Sequence, residues 1–473
     1  MSVFLGIVVM IMVFFCILMG NTFINNRKAR KLREKEVPPV SERYVQGLAA
    51  MIRCRTVSYK DHHEDTEFAK LRDVVRKQFP LFFQKAELHT FRDDCWMYKL
   101  PGADETRNMM LMSHHDVVDA PEEWKYPPFD GISAEGKLWG RGTVDTKTPL
   151  FAEFMALEEL LEQGFTPAIN VWIGSSHNEE YCGDGVPEAK KYFEKEGITF
   201  EVILDEGGAV IVPPIGGMDC ERCAMVAVHE KGRYHLMCTA NAQTSHASLT
   251  AALSHNPAER MAAFVHHITT EPVFIRRINP QFRAMLKALS PYCRFPMNVV
   301  FSNLWLFGGL LKKIMPKLSA QAGGLIGTTC SFLDIQGNGT SASAHAFLRP
   351  VDEQDLQEDL KRFEAVAEKY GITVTIREDS EYHVPADMTL PPYGYLMDTI
   401  ARHFPDCPAA PFILPAGTDA RTFTEICPCV LRFAPIRLSS QQLAAVHSKD
   451  ENIDLTTITE AVAFYRDFVA RYA

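Results

Sequence analysis

Three short apolar runs in the first half of the chain end directly in histidine or acidic residues. The runs and the polar residues that follow them are 109–112 before His114 and Asp116, 170–174 before Glu179 and Glu180, and 202–204 before Asp205. Short, continuous apolar runs are typical of strands buried on both faces of a parallel sheet. Such strands present their carboxyl ends at one edge of an open α/β sheet. The sequence therefore predicts an α/β fold with these polar side chains close together at that edge.

Two more residues complete a candidate metal-binding set. Asp145 lies in the sequence Thr-Val-Asp-Thr at 143–146, and His447 lies near the end of the chain. Imidazole and carboxylate groups suit zinc, and two ions about 3.5–4 Å apart need a bridging carboxylate with further ligands on each side. A single cluster of this kind is more often a turn or a solvated surface. Together, the clusters supply what a two-zinc hydrolase needs.

Size and composition limit the class of protein. At 473 residues the chain should hold more than one domain, because single cores rarely grow beyond about 250–300 residues. Its net charge of −10 argues against a nucleic-acid binder, which usually has a basic surface. The sequence contains neither a GxGxxG word after a strand nor a P-loop. For Cys220 and Cys223, isolated thiols in a reducing compartment are favoured over a redox pair.

The N-terminus is long and apolar enough to be a membrane anchor. Residues 3–20 carry no charge, and apolar character continues to Ile24; about 20 such residues can cross a bilayer. A cleaved signal peptide is the alternative, but a basic start and an Ala-x-Ala-like site are missing. We therefore favour a retained anchor over residues 1–24. Six basic residues follow between positions 27 and 35, and the positive-inside rule then places the rest of a single-pass membrane protein in the cytoplasm.

The remaining chain divides into a larger α/β unit and a smaller α+β unit. Residues 25–40 are expected to be a basic, proline-containing linker. Strands and helices alternate over 41–231 and predict the first part of a catalytic domain. The pattern over 232–384 is similar to a ferredoxin-like unit, and 385–473 returns to the first domain. Residues 280–324 are apolar and irregular, and either a long lid loop or a membrane-proximal element fits them.

Several words of the sequence occur in an order that is highly specific. They are His-x-Asp-Val-Val at 114–118, Trp-Lys-Tyr-Pro-Pro-Phe-Asp-Gly at 124–131, Gly-Arg-Gly-Thr-Val-Asp-Thr-Lys at 140–147, Glu-Glu at 179–180, Asp-Glu-Gly at 205–207 and His447. This set resembles the aminoacylase, carboxypeptidase S and succinyl-diaminopimelate desuccinylase metallopeptidases. The branch it resembles most contains carboxypeptidase S and the N-fatty-acyl-amino-acid hydrolases. The resemblance implies a zinc-exopeptidase-like catalytic domain with an inserted lid or dimerisation domain.

The resemblance also implies how the metal ligands divide. His114 and Asp205 would hold one zinc ion, Glu180 and His447 the other, and Asp145 would bridge them. Cobalt or manganese are possible substitutes for the two zinc ions.

The same resemblance assigns roles beside the metals. Asp116 would orient His114 through its second nitrogen, and Glu179 would be the general base. Glu206 is an open alternative to Asp205, because neighbouring residues on a strand point to opposite faces.

The resemblance places further contacts in the lid and in a late loop. His246, in Ser-His-Ala-Ser at 245–248, would stabilise the oxyanion, and in many relatives this histidine acts across a dimer. Arg349 before Pro350 would bind a substrate carboxylate. The family's Asn-x-Ile-Pro word is reduced here to Asn338-Gly339-Thr340, and Thr418 is a candidate substrate contact.

The sequence thus predicts a membrane-anchored, zinc-dependent hydrolase that cleaves an amide or peptide bond next to a free carboxylate. Its substrate would be a small peptide or an N-acyl amino acid, with long acyl chains as a further hypothesis if residues 280–324 face lipid. A catalytically inactive scaffold with the same fold is the alternative. The intact ligand set argues against it. A homodimer through the lid and a monomer both remain open.

Overall fold

The computed structural model describes residues 2–60, 62–63, 65–121, 123–242, 256–318, 320–377 and 380–473. Its strands are β1 Ser58–Tyr59, β2 His62–His63, β3 Glu87–Phe91, β4 Cys95–Leu100, β5 Asp104–Met112, β6 Ile132–Ala134, β7 Lys137–Trp139, β8 Ile169–Ser175, β9 Val202–Asp205, β10 Ala209–Ile211, β11 Cys223–Glu230, β12 Tyr234–Asn241, β13 Thr329–Gly337, β14 Ser341–Arg349, β15 Thr373–Ile376, β16 Ala409–Leu414, β17 Val430–Arg432 and β18 Asn452–Asp454.

The helices connect and cover these strands. The α-helices are Ser2–Arg27, Glu42–Ile52, Asp65–Gln78, Pro80–Lys85, Lys147–Glu162, Gly185–Glu196, Pro257–Thr270, Pro280–Leu289, Met297–Ser302, Leu304–Leu318, Ala320–Gly324, Glu353–Lys369, Pro391–His403, Ser440–Ala444 and Leu455–Arg471. Short 3₁₀ helices lie at Glu179–Tyr181, Ser290–Tyr292 and Asp419–Phe423.

A mixed nine-stranded sheet forms the centre of the protein. Its strand order is β10-β11-β17-β9-β5-β8-β4-β3, with β16 paired to β11. At its middle, β8, β5, β9 and β17 run parallel. The three apolar runs predicted as strands lie in β8, β5 and β9 and are direct neighbours, so their carboxyl ends meet at one edge. The predicted α/β sheet is confirmed.

Helices bury both faces of this sheet. Lys147–Glu162 packs against Leu455–Arg471 on one face, and Phe154 stacks among the rings of Phe79, Phe82 and Phe83. On the other face, Phe193 of helix Gly185–Glu196 contacts Trp172 of β8. The apolar strands are therefore covered on both sides, as a parallel sheet requires.

A four-stranded antiparallel sheet lies between β11 and β16 in the chain. Its order is β13-β14-β12-β15, and helices Pro257–Thr270 and Glu353–Lys369 contribute to its separate core of Leu236, Phe264, Ala344 and Phe363. Strands and helices alternate in the order of a ferredoxin-like unit. The chain leaves the central sheet after β11 and returns to it at β16.

Residues 280–324 are mostly helical, so the expectation of an irregular stretch is wrong. Helix Pro280–Leu289 packs on β16, and its Phe282 and Leu286 share an apolar cluster with Phe301 and Leu304. Pro291 and Pro296 fall between its first two helices, and Gly308, Gly309 and Pro316 lie within helix Leu304–Leu318, so residues typical of loops mask the helices in the sequence. We call residues 280–324 the helical insert.

The N-terminal helix Ser2–Arg27 contains a candidate span, Phe4–Arg27, in which an 18-residue window has a mean hydropathy of 2.6. It is long and apolar enough to cross a membrane, a property that signal sequences share. The basic segment that follows lies against the C-terminal part of the chain. Arg30 donates hydrogen bonds to the carbonyls of Ala401 and Phe404, and Lys35 forms a 2.6 Å ion pair with Glu460.

Candidate active site

Four predicted ligands come together although they lie far apart in the sequence. His114 follows β5, and Glu180 lies in the 3₁₀ turn after β8. Asp145 lies just before helix Lys147–Glu162, and His447 lies between helix Ser440–Ala444 and β18. His114 and Glu180 thus follow strands of the central sheet, and Asp145 and His447 lie in connecting segments at the same edge.

The Asp145 carboxylate connects the two histidines. Its Oδ1 lies 2.9 Å from His114 Nε2, and its Oδ2 lies 3.0 Å from His447 Nε2. His447 Nε2 also lies 3.0 Å from Glu180 Oε2. Each imidazole thus presents a nitrogen to Asp145, which is the position expected of a bridging ligand.

Asp116 fixes the orientation of this group. It is fully buried, and its Oδ1 lies 3.2 Å from His114 Nδ1. It also accepts hydrogen bonds from the backbone N–H groups of Glu179 and Glu180 and from the Ser58 hydroxyl. One carboxylate therefore positions a histidine and the turn that carries both glutamates.

Asp205 and Glu206 are in different environments. The Asp205 carboxylate accepts hydrogen bonds from the backbone N–H groups of Glu206 and Ala420. Glu206 instead lines a cavity together with Asp145 and Glu180. The side chain of Glu206 is thus the one of the two that faces the other candidate ligands.

The electrostatics of the site are dominated by carboxylates. Burial raises the pKa of Glu179 well above its usual range, and the carboxyl groups of Asp419, Glu206 and Glu180 raise it further, against the effect of His114. Burial acts in the same direction on Asp145, but its hydrogen bonds with the two histidines hold its pKa below the usual range. Hydrogen bonds with Asp145 and Glu180 raise the pKa of His447 to about 10.

These groups are chemically suited to metal ions. His114, Asp145 and Glu180 offer ligand atoms that all lie within 4.8 Å of one another. Buried carboxylates are costly unless cations compensate their charge. Here the carboxylates of Asp145 and Glu180 favour the protonated form of His447. Imidazole nitrogen and carboxylate oxygen are the donors that zinc takes in catalytic sites. The residues therefore fit zinc.

Glu451 holds the loop that carries Asp145. Its carboxylate is fully buried and accepts hydrogen bonds from the backbone N–H groups of Gly142, Val144 and Asp145. It also pairs with Arg141 at 2.8 Å. Because Glu451 lies four residues after His447, it joins the segment of one ligand to the segment of another.

A cavity of about 250 Å³ on one side of Glu179 and Glu180 is lined by basic and acidic side chains, and we call it the cationic cavity after its four basic residues, Lys231, Arg233, Arg349 and Arg421. Arg233 and Arg421 both pair with Glu381. Arg349 donates a hydrogen bond to the carbonyl of Pro415, and it forms no salt bridge with any described residue. Burial, Arg233 and Arg421 lower the pKa of Arg349 against the opposing effect of Glu230.

A second cavity, of about 510 Å³, is mainly apolar. Its apolar wall comprises Val144, Ala209, Ile211, Met225, Phe412, Leu414, Ala434, Ile436, Leu438, Leu443 and Val446. Glu179, Glu180, Gly417 and His447 line both cavities. The cationic and apolar cavities therefore meet at the candidate metal ligands.

The remaining predicted site residues are not all near this edge. Thr418 lines the apolar cavity, and it donates hydrogen bonds to both oxygens of Glu230. Asn338 is exposed and accepts hydrogen bonds from Thr340 and Ser341 within the turn between β13 and β14. It does not line either cavity in the described structure. His246 lies outside the described residues.

The sequence did not single out Arg233 and Glu451. Arg233 follows the predicted domain boundary, where no motif or periodicity marks it. For Glu451, the available signal was a carboxylate four residues after a predicted ligand. Its partners are backbone N–H groups, which no residue pattern displays.

Comparisons with known proteins agree with this geometry. The model of peptidase family M20/M25/M40 matches residues 110–471. The chain is 29% identical over 455 residues to the N-fatty-acyl-amino acid synthase/hydrolase PM20D1 of Xenopus tropicalis, covering 93% of this chain and 87% of that protein. It is 27% identical over 443 residues to the probable carboxypeptidase S-like 2 of Dictyostelium discoideum, covering 89% and 83%.

Solved structures show the same fold. The M20 family metallo-carboxypeptidase Sso-CP2 of Sulfolobus solfataricus superposes with a TM-score of 0.64 at 17% identity, covering 91% of this chain and 99% of that one. The aminopeptidase PepT of Bacillus cereus has a TM-score of 0.59 at 13% identity, covering 91% and 98%.

We expect Glu451→Gln to weaken zinc binding roughly 10–100-fold, the usual effect of losing a residue that orients metal ligands. The amide would place N–H groups against the backbone donors that the carboxylate now accepts. Glu460→Gln is the matched control, since Glu460 is also a buried, ion-paired glutamate but lies away from the ligands. Zinc affinity measured by competition with a chelator should change in the first variant only. Equal affinities in both would contradict the role of Glu451.

Proposed function

This chain belongs to peptidase family M20/M25/M40. We propose that it hydrolyses the amide bond of an N-acyl amino acid whose carboxylate is free. The meeting of the two cavities supports this function. A substrate carboxylate fits the cationic side at Arg349, and an apolar acyl group fits the larger cavity. The amide between them would then lie at Glu179 and Glu180. Peptides with an apolar residue before the cleaved bond have the same polarity and belong to the same substrate class.

We assign two zinc ions to the site. His114, Asp145, Glu180 and His447 would hold them, with Asp145 as the bridge. For the remaining ligand we favour Glu206 over Asp205, because backbone N–H groups already bind both oxygens of Asp205. Bound zinc would supply a Lewis acid and would lower the pKa of a water molecule toward neutrality.

Glu179 is the proposed general base. It lines both cavities and so lies where the amide would bind. Burial raises its pKa, and a general base must both accept and release a proton during turnover. Glu179 would accept a proton as water attacks the carbonyl carbon and would then give it to the leaving amine. His246 remains the proposed donor to the oxyanion.

Membrane attachment is part of the proposal. The apolar helix Ser2–Arg27 would be retained as a single span, and the basic residues after it would place the catalytic part in the cytoplasm. The four-stranded sheet of β12–β15 would act as the lid. Arg233 directly precedes β12 and Arg349 ends β14, and both line the cationic cavity. Asn338 lies at the exposed turn between β13 and β14 and would contact substrate only in a homodimer.

Glu179→Gln should retain bound zinc and lower kcat by roughly 10²–10⁴-fold, because the amide cannot accept a proton. Metal analysis and turnover should be measured on the same preparation. Glu188→Gln is the control, since Glu188 lies on the nearby helix Gly185–Glu196 and pairs with the exposed Lys191. Unchanged turnover in Glu179→Gln would contradict the mechanism.

A series of N-acyl amino acids should show kcat/KM rising with acyl chain length until the apolar cavity is filled, because each buried CH₂ contributes about 0.8 kcal/mol. Release of the free amino acid is the readout, and dipeptides with small polar residues should be poorer substrates. A preference for short, polar acyl groups would contradict the assignment of the apolar cavity.

Arg349→Met should lower kcat/KM for a free-acid substrate by roughly 10–100-fold, as expected from the loss of a hydrogen bond to a charged group. It should have little effect on the corresponding methyl ester. Arg362→Met, on the exposed face of helix Glu353–Lys369, is the control. If the variant still prefers the acid over the ester as strongly as the wild type does, the carboxylate does not bind at Arg349.

A further inference from the structure

One face of helix Leu304–Leu318 in the helical insert is exposed and apolar. The exposed fractions are 56% for Trp305, 39% for Leu306, 54% for Leu310 and 39% for Ile314. Leu306, Leu310 and Ile314 are spaced four residues apart and so form a continuous stripe along the helix. Leu304 and Leu311 on the opposite side are buried in the apolar cluster of the insert. Large apolar side chains thus lie on both the buried and the exposed side of the helix, and Lys313 and Lys317 share the exposed side with them.

Basic residues accompany the exposed stripe. Lys312, Lys313 and Lys317 lie in the second half of the helix, and Lys313 and Lys317 are exposed. Trp and Leu side chains beside lysines are typical of helices that lie in the interface of a membrane with acidic lipids. Phe295, in the loop before the helix, is 77% exposed.

This face lies beside the N-terminal helix. The ring of Trp305 contacts that of Phe14 with centroids 5.9 Å apart. Asn303 is fully buried, accepts a hydrogen bond from Asn21, and donates to the Leu18 carbonyl and the Thr22 hydroxyl. The insert is therefore attached to the second half of the N-terminal helix.

The contact with Phe14 places this face relative to the candidate span. Phe14 lies within the apolar part of Phe4–Arg27, and its ring packs against that of Trp305. If this helix spans a bilayer, Phe14 and the Trp305 ring beside it therefore lie at the level of the lipid.

We propose that the exposed side of helix Leu304–Leu318, with Trp305 at one margin and Leu306, Leu310 and Ile314 along the other, contacts bilayer lipid next to the span and places the catalytic part on the membrane surface. This inference rests on the membrane anchor in the proposed function. Packing connects this face to the site.

Met225 belongs to the apolar cluster of the insert and also lines the apolar cavity. The cavity proposed for the acyl group therefore adjoins the insert that would contact the bilayer, where long acyl chains dissolve.

The test uses the full chain in vesicles of phosphatidylcholine and phosphatidylglycerol, with or without bromine on the acyl chains, because bromine quenches tryptophan that contacts lipid. Flotation of the vesicles reports the anchor, and hydrolysis of a short-chain substrate in detergent reports the proposed enzyme. Of the five tryptophans in the chain, only Trp305 lies in the insert. We expect brominated lipid to reduce the emission of the wild type, and Trp305→Phe to abolish that reduction.

Two matched variants locate the contact. In the Trp305→Phe background, Leu310→Trp should restore quenching, whereas Leu333→Trp should not. Both leucines are exposed, at 54% and 68%, but Leu333 lies on β13 of the four-stranded sheet.

Three results would overturn the proposal. The first is a chain that floats without quenching, as would occur if a protein partner covered this face. The second is equal quenching of the two introduced tryptophans. The third is a chain that does not float, which would also remove the anchor. Hydrolysis in detergent would still test the enzyme separately in each case.

Discussion

The Asp145 carboxylate lies between the imidazoles of His114 and His447, and the candidate site is organised around that position. Each of its oxygens is within 3.0 Å of one histidine. His114 belongs to the middle of the central sheet, whereas His447 belongs to the last part of the chain. Glu451 binds the Asp145 loop through three backbone N–H groups. The site therefore assembles only when the C-terminal segment has docked on the sheet.

Polarity divides the space around this centre. In the cationic cavity Arg233 and Arg421 both pair with Glu381, whereas Arg349 forms no salt bridge with a described residue. The apolar cavity on the other side is about twice as large. The proposed amphiphilic substrate, with a carboxylate at one end, would occupy both cavities at once, whereas a polar peptide would leave the apolar wall without a partner. The exposed face of helix Leu304–Leu318 extends the same apolar character to the surface of the protein.

The sequence predicted the central sheet and most of the site because strand ends follow a simple rule. Continuous apolar runs identified β5, β8 and β9, and parallel pairing brings the residues after them together. The rule does not predict whether Asp205 or Glu206 faces the other candidate ligands, because backbone N–H groups of the folded chain hold the Asp205 carboxylate. It also misses Glu451, whose partners are backbone atoms. The helical insert differs from the predicted irregular stretch because helix Leu304–Leu318 accommodates Gly308, Gly309 and Pro316, residues that usually indicate loops.

The metal content of the purified full chain tests the central role of Asp145 most directly. After zinc loading and removal of excess metal, mass spectrometry of the metal should find two zinc ions per wild-type chain. The Asp145→Asn variant should lose zinc from both positions, because a bridging ligand serves both ions. A wild-type chain without stoichiometric zinc, or an Asp145→Asn variant that still binds two ions as tightly, would contradict this account.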